Sequence, residues 1–187
     1  MKGEILKLLK ESDGYLSGQE LCERFGVSRT TVWKVINQLK EEGYEIEAVR
    51  NKGYILKSVS DVLSKEELES SLKTRWAGKE IHYFDRTDST NIQARLAGEA
   101  GASHGTLAVA EIQDGGRGRR GRNWISPAGV GVWMSLLLRP EISPVSASML
   151  TLVMALAAQK GIKEATGIES QIKWPNDLVL NKKKICG

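Results

Sequence analysis

The chain's 187 residues and 41% hydrophobic content are enough to bury one large or two small cores, so a soluble globular protein is expected. No N-terminal stretch joins basic residues, an apolar run and a small-residue cleavage site, and no apolar segment approaches the ~20 residues a bilayer demands; no membrane partner and a cytoplasmic location are expected. A net charge of +4 permits contact with a polyanion without pointing to one.

Ile5, Leu8 and Leu9 share one face of a first predicted helix, which the Ser12-Asp13-Gly14 cluster stops. Ser17 and Glu20 fit a capping box for a second helix, with Leu21, Cys22 and Phe25 at core-facing spacing and Gly26 ending it. Ser28 caps a third, in which Val32, Val35, Ile36 and Leu39 form the apolar stripe while Arg29, Thr30, Thr31, Lys34 and Asn37 fall elsewhere. After Gly43, residues 44–49 alternate as a strand should, and Asn51-Lys52-Gly53 turns the chain into Tyr54-Ile55-Leu56.

Three helices and a hairpin predict a winged helix-turn-helix over residues 1–60. The face from Arg29 to Asn37 would enter a major groove, and Arg50 and Lys52 on the wing would contact phosphates. Residues 1–57 hold ten Lys or Arg against nine Asp or Glu, so this reading rests on motif geometry rather than charge. The alternatives are a winged helix used for protein contacts and a helical domain with a solvated polar face.

A polar link from Ser58 to Ser64 leads to a second domain, 65–187, opened by a helix at Ser64-Lys65-Glu66-Glu67. Strands are predicted at 81–84, 106–111, 130–138 and 171–174, with helices near 90–98 and 146–166, an α/β or α+β domain with a mixed sheet. The chain reaches Gly187 inside a strand entered through Asn181-Lys182-Lys183, so the sheet is expected to be incomplete. Cys22 and Cys186 lie in no metal-ligand spacing; reduced thiols are expected, and no protein-held metal.

The most unusual segment packs four arginines and four glycines into residues 115–122, between two apolar strands. Glycines let backbone bend closely around a ligand, and guanidinium forks suit carboxylate or phosphate, which suggests an anion clamp. An arginine-glycine RNA-binding segment, a localisation-type basic patch and a solvated loop are the competing readings. Asp88-Ser89-Thr90-Asn91 collects hydroxyls and free amides at a helix start, and by itself reads as an N-cap. Lys173-Trp174-Pro175-Asn176-Asp177 is a strand end and turn that offers polar groups at a sheet edge.

Taken in order, Ser89-Thr90-Asn91, the run from Gln113 through Gly116-Arg117-Gly118-Arg119-Arg120-Gly121-Arg122 to Trp124, and Lys173-Trp174-Pro175-Asn176-Asp177 with a basic hairpin closely resemble the biotin–protein ligase family. The winged helix narrows the resemblance to its bifunctional ligase and repressor class, over essentially the whole chain. The resemblance implies an α+β chain: a winged helix-turn-helix, then a mixed-sheet biotin/lipoate ligase-like catalytic domain that continues past Gly187. It implies ATP-dependent formation of biotinyl-5′-adenylate, transfer of biotin to a lysine of the biotin carboxyl carrier domain of acetyl-CoA carboxylase, and repression at operator DNA by a homodimer assembled on the adenylate.

Residue by residue, the resemblance implies that Ser89, Thr90 and Gln113 hydrogen-bond biotin's ureido head, with Asn91 also biotin-binding and Gly116 and Arg117 lining the pocket. Arg119 would hold the adenylate phosphate, and Lys184 would reach the biotin carboxylate and the α-phosphate; these two are the expected catalytic residues. Arg120, Arg122, Trp124, Asn176 and Asp177 would serve the nucleotide, with Mg²⁺ arriving mainly with ATP. The rival readings are a biotin sensor without ligase activity and a lipoate-type ligase fused to a DNA-binding module.

Overall fold

The computed structural model describes residues 1–58, 63–118 and 121–187. They form two units, Met1–Arg139 and Pro140–Gly187.

The first unit begins with α1 (Lys2–Glu11), α2 (Gly18–Phe25) and α3 (Arg29–Glu41), followed by the antiparallel hairpin β1 (Glu45–Val49) and β2 (Gly53–Ser58). Its core joins Ile5, Leu6, Leu9, Leu21, Val32, Val35, Ile36, Leu39, Tyr44 and Ile46. The α1 stripe is turned from its predicted position: Leu6 is fully buried, whereas Leu8 packs only at the edge. Ser28 caps α3 through the amide of Thr31 at 3.2 Å; the Ser17 hydroxyl accepts from Gln19 at 3.2 Å, one residue short of the capping-box position. A third strand-like element escapes the sequence pattern. Leu16 and Tyr54 exchange backbone bonds of 2.8 and 2.9 Å, and a Cβ at Gly53 (φ 113°) would lie 1.9 Å from the Leu16 carbonyl oxygen, so only glycine fits.

Helix α4 (Lys65–Ser71), capped by Ser64, packs on α1. Lys10 meets Glu67, Lys2 bridges Glu42 at 2.5 Å and Glu66 at 3.0 Å, and the Tyr44 hydroxyl donates to Glu67 at 2.9 Å. Burial, with Glu67 adding to it against an opposing bond from Ser64, pushes the Tyr44 phenol up to about 12.

Strands β3 (Ile81–Thr87) and β4 (Leu107–Gln113) are parallel, joined through α5 (Thr90–Glu99), and β5 (Trp133–Leu136) adds antiparallel to β4, so the sheet is mixed as predicted. The register pairs Thr87 with Gln113, so the two parallel strands end together, where functional loops of such sheets gather. Ile81, Leu107 and Val109 form the core here, with Leu68 of α4 and Leu72 just beyond its end against it.

In the second unit a 3₁₀ turn (Pro144–Ser148) runs into α6 (Met149–Thr166), which Gly167 ends in the left-handed conformation. β6 (Gln171–Lys173), β7 (Asp177–Leu180) and β8 (Lys183–Cys186) pair locally as an antiparallel sheet through turns of three and two residues. The expectation that no apolar segment nears membrane length is corrected: Pro144–Thr166, 23 residues of which an 18-residue window has mean hydropathy 1.4, is long and apolar enough to cross a bilayer by length and composition alone. Its interspersed Ala, Ser, Thr and Gly hide this from a reading that looks for unbroken apolar runs. Core helices of soluble domains share that composition.

Candidate functional site

The N-terminal module brings Arg29, Arg50 and Lys52 to one groove. Arg29, Thr30 and Lys34 are exposed on α3, Asn37 is half-buried, and Arg50 and Lys52 are exposed at the hairpin turn. A groove of about 480 Å³ runs between the start of α2, the start of α3 and the hairpin, lined in part by Ser17, Gln19, Arg29, Arg50 and Lys52. Arg29 is held by the Gln19 side chain at 3.0 Å, and the Lys52 ammonium lies 5.6 Å from the Tyr15 ring centre. Thr31 is turned toward the cap, its hydroxyl 2.9 Å from that of Ser28.

A buried polar cluster forms where β3, β4 and β5 meet the start of α5. Ser89 is the N-cap of α5 by position, yet it makes no side-chain capping bond. The carboxylate of Asp88 accepts from the Ser89 amide at 2.6 Å, the Gln93 side chain at 3.0 Å and the Thr87 hydroxyl at 3.1 Å. The bond from Gln93 and then that from the Ser89 amide hold Asp88 below the usual carboxylate range. Ser89, buried, thus keeps its hydroxyl clear of the cap.

Beside it, Oε1 of Gln113 accepts from the Thr90 amide at 2.8 Å and the Thr90 hydroxyl at 3.1 Å, while Nε2 donates to the Ser126 hydroxyl at 3.0 Å. The Thr90 and Ser135 hydroxyls lie 2.9 Å apart. The result is a compact array of donors and acceptors, with Ser89, Thr90 and Ser126 buried and Gln113 and Ser135 half-buried, suited to a small ligand that presents both. Ser126 and Ser135 were missed from sequence; the one available signal was a serine inside the apolar run Trp133-Met134-Ser135-Leu136. Asn91 is exposed on the first turn of α5.

The described residues on the two flanks of the glycine-arginine segment pair with each other. Gln113 bridges Ser126, Arg117 bridges Asn123, and the amides of Trp124 and Gly118 donate to the carbonyls of Gly116 and Arg122 at 2.8 and 2.7 Å. Gly116 is buried, and a Cβ on it would stand 2.4 Å from the Trp124 carbonyl oxygen and 2.9 Å from the Ser126 hydroxyl, so close backbone approach requires glycine there. Arg117 and Arg122 are exposed and Trp124 is half-buried; Arg119 and Arg120 lie outside the described residues.

Lys184, Asn176 and Asp177 belong to the second unit. Asp177 stands at the start of β7 and accepts from Lys184 on β8 at 2.7 Å and from the Asn176 amide at 3.0 Å. Asn181 and Lys182 turn the chain with positive φ, which sets Lys184 beside Val179 in the ladder. Among the described residues, no group of three or more His, Cys, Asp or Glu side chains could hold a metal ion.

Residues 83–187 match the biotin/lipoate A/B protein ligase family, and residues 3–55 match an HTH domain. The chain is 44% identical over its full length to the bifunctional ligase/repressor BirA of Bacillus subtilis, of which it covers 58%. It is 32% identical to BirA of Escherichia coli over 98% of this chain and 56% of that one. A biotin protein ligase from Aquifex aeolicus in complex with biotin and ATP is 36% identical over 57% of this chain and 44% of its own, with a TM-score of 0.49. The chain therefore spans less than two thirds of the curated relatives it matches.

Proposed function

Because this chain belongs to the biotin/lipoate A/B protein ligase family and carries an HTH domain ahead of the matching region, we propose that it is part of a biotin–protein ligase that also acts as a biotin-responsive repressor. The observation that carries this reading is the array of Ser89, Thr90, Gln113, Ser126 and Ser135 at the foot of the glycine-arginine segment. Biotin's ureido head offers two N–H donors and a carbonyl acceptor, and these side chains supply both partners at short range.

In the proposed reaction the biotin carboxylate attacks the α-phosphorus of ATP, a carboxyl–phosphate bond forms and pyrophosphate leaves. A lysine amine of the carrier domain of acetyl-CoA carboxylase then attacks the carbonyl carbon, and AMP departs. Two anions must approach for the first step, so cationic groups carry most of the work. Lys184 is proposed to meet the biotin carboxylate and α-phosphate. Arg117 is proposed to line the biotin pocket, Arg119 to hold the adenylate phosphate, and Arg120 and Arg122 to serve the nucleotide. Asn91 is assigned to the biotin side, and Trp124, Asn176 and Asp177 to the nucleotide side. Mg²⁺ enters as a companion of ATP, whose phosphate oxygens are the hard ligands it prefers.

The division proposed is a DNA-binding domain over 1–60 and a catalytic domain from 65 onward. Arg29, Thr30, Thr31, Lys34, Asn37, Arg50 and Lys52 form the operator-facing set, and the adenylate, as corepressor, promotes a homodimer in the cytoplasm. Calorimetric titration with biotin, then with biotinyl-5′-adenylate, tests the reading, with lipoate as competitor. Saturable biotin binding that lipoate does not displace is the expected result. Preference for lipoate would move the protein to the lipoate branch of the same family, and binding of biotin without adenylate formation in the full-length protein would leave a sensor.

A further inference from the structure

Trp33 sits at the middle of the exposed side of α3 with 56% of its surface exposed. The fold has no use for it there, because the inner side of α3 is already filled by Val32, Val35, Ile36 and Leu39. An indole left in water forgoes a large burial term, so a partner is the natural explanation for its position. Helical spacing puts Arg29 and Asn37 one turn before and after it on the same strip, with Thr30 and Lys34 alongside.

No Asp or Glu occurs between Arg29 and Lys40, and the hairpin contributes Arg50 and Lys52 to the same end of the module. The matching partner is thus anionic around the edge and apolar at the point the indole touches. A DNA major groove has that character: phosphates line its rims, and each thymine presents a C5-methyl group on its floor.

We propose that Trp33 reads sequence, packing its indole against thymine methyl groups while Arg29, Lys34 and the hairpin cations hold the flanking phosphates. This rests on the DNA-binding reading above and assigns to Trp33 the apolar part of recognition.

The test starts from a random duplex pool, from which the full-length wild-type protein selects its site in the presence of biotin, ATP and magnesium chloride. Each thymine of the selected duplex is then replaced by deoxyuridine, which removes only the methyl group. At the contacted positions wild-type binding is expected to weaken about fourfold per methyl lost, the size of one buried methyl's transfer. Trp33→Ala and Trp33→Gln should bind the thymine duplex more weakly and be indifferent to deoxyuridine at those positions, with thermal melting as in the wild type; Trp33→Phe should keep part of the sensitivity. Equal deoxyuridine sensitivity in wild type and Trp33→Ala, or undiminished binding by Trp33→Ala, overturns the proposal. Loss of self-association in Trp33→Ala with DNA binding intact would make the indole a protein contact instead. If the wild-type protein enriches no sequence at all, the DNA-binding reading falls, and this proposal with it.

Discussion

The amide and hydroxyl of Thr90 both donate to Oε1 of Gln113, at 2.8 and 3.1 Å, which ties the start of α5 to the end of β4. Gln113→Ala removes that acceptor from a buried donor, a change that costs ~1–3 kcal/mol. Biotin affinity is expected to fall at least tenfold by calorimetry, with a lower melting temperature. Gln113→Glu keeps the acceptor but loses the bond donated to Ser126, so it should melt near the wild type and still bind biotin poorly. Wild-type affinity in both variants would remove Gln113 from the proposed pocket.

Gly116→Ala would force its new methyl against the Trp124 carbonyl, which would stand 2.4 Å away. Overpacking of this kind costs ~1–3 kcal/mol, and here the neighbour is backbone that must move. Weaker biotin binding is expected, with DNA binding in the absence of biotin unchanged. A crystal structure of the variant with undisturbed pairing of residues 113–118 with 122–126 would contradict this.

Lys34 and Asn37 lie off the apolar stripe of α3, so the double replacement by Ala should change stability by less than ~1 kcal/mol. Operator binding in a gel-shift assay should be weakened at least tenfold while calorimetric biotin affinity stays as in the wild type. Unaltered operator affinity would take these residues out of the recognition surface.

Asp177 holds the Lys184 ammonium at 2.7 Å, so the proposed catalytic cation is oriented by a carboxylate on the neighbouring strand. In the full-length protein, Lys184→Gln is expected to slow pyrophosphate release in a single turnover about a hundredfold or more, the usual loss when a charge-stabilising group is removed. Asp177→Asn should have a smaller effect on the same step. A rate unaffected by Lys184→Gln would transfer the role to the arginines of the glycine-arginine segment.

Tyr44 gives a pH signature. Its phenol is pushed from 10.0 up to about 12 in the fold, so the folded state retains a proton that the unfolded chain gives up first. The stability this contributes is complete below pH 10.0 and is lost as pH rises toward about 12. Denaturant melts across that window should fall more steeply for the wild type than for Tyr44→Phe. Parallel pH profiles would show that the phenol is not responsible.

Much of the winged helix was legible because local rules coincide there: the apolar stripe of α3, the serine caps at Ser28 and Ser64, the glycine stop at Gly26 and the turn before β2 each depend on residues a few positions apart. The three motifs of the second half were equally readable, since side-chain chemistry is written in the sequence. What one-dimensional pattern could not reach was pairing at a distance. Parallel β3 and β4 must end in register for Thr90 to find Gln113, and β5 must lie against β4 for Ser135 to join them. The same limit hid the close approach of Leu16 to Gly53, the bond from Tyr44 to Glu67 and the turning of α1 toward Leu6. Residue type and helical or strand period belong to the chain itself, whereas which buried polar groups satisfy one another is settled only when separate elements pack and water is excluded.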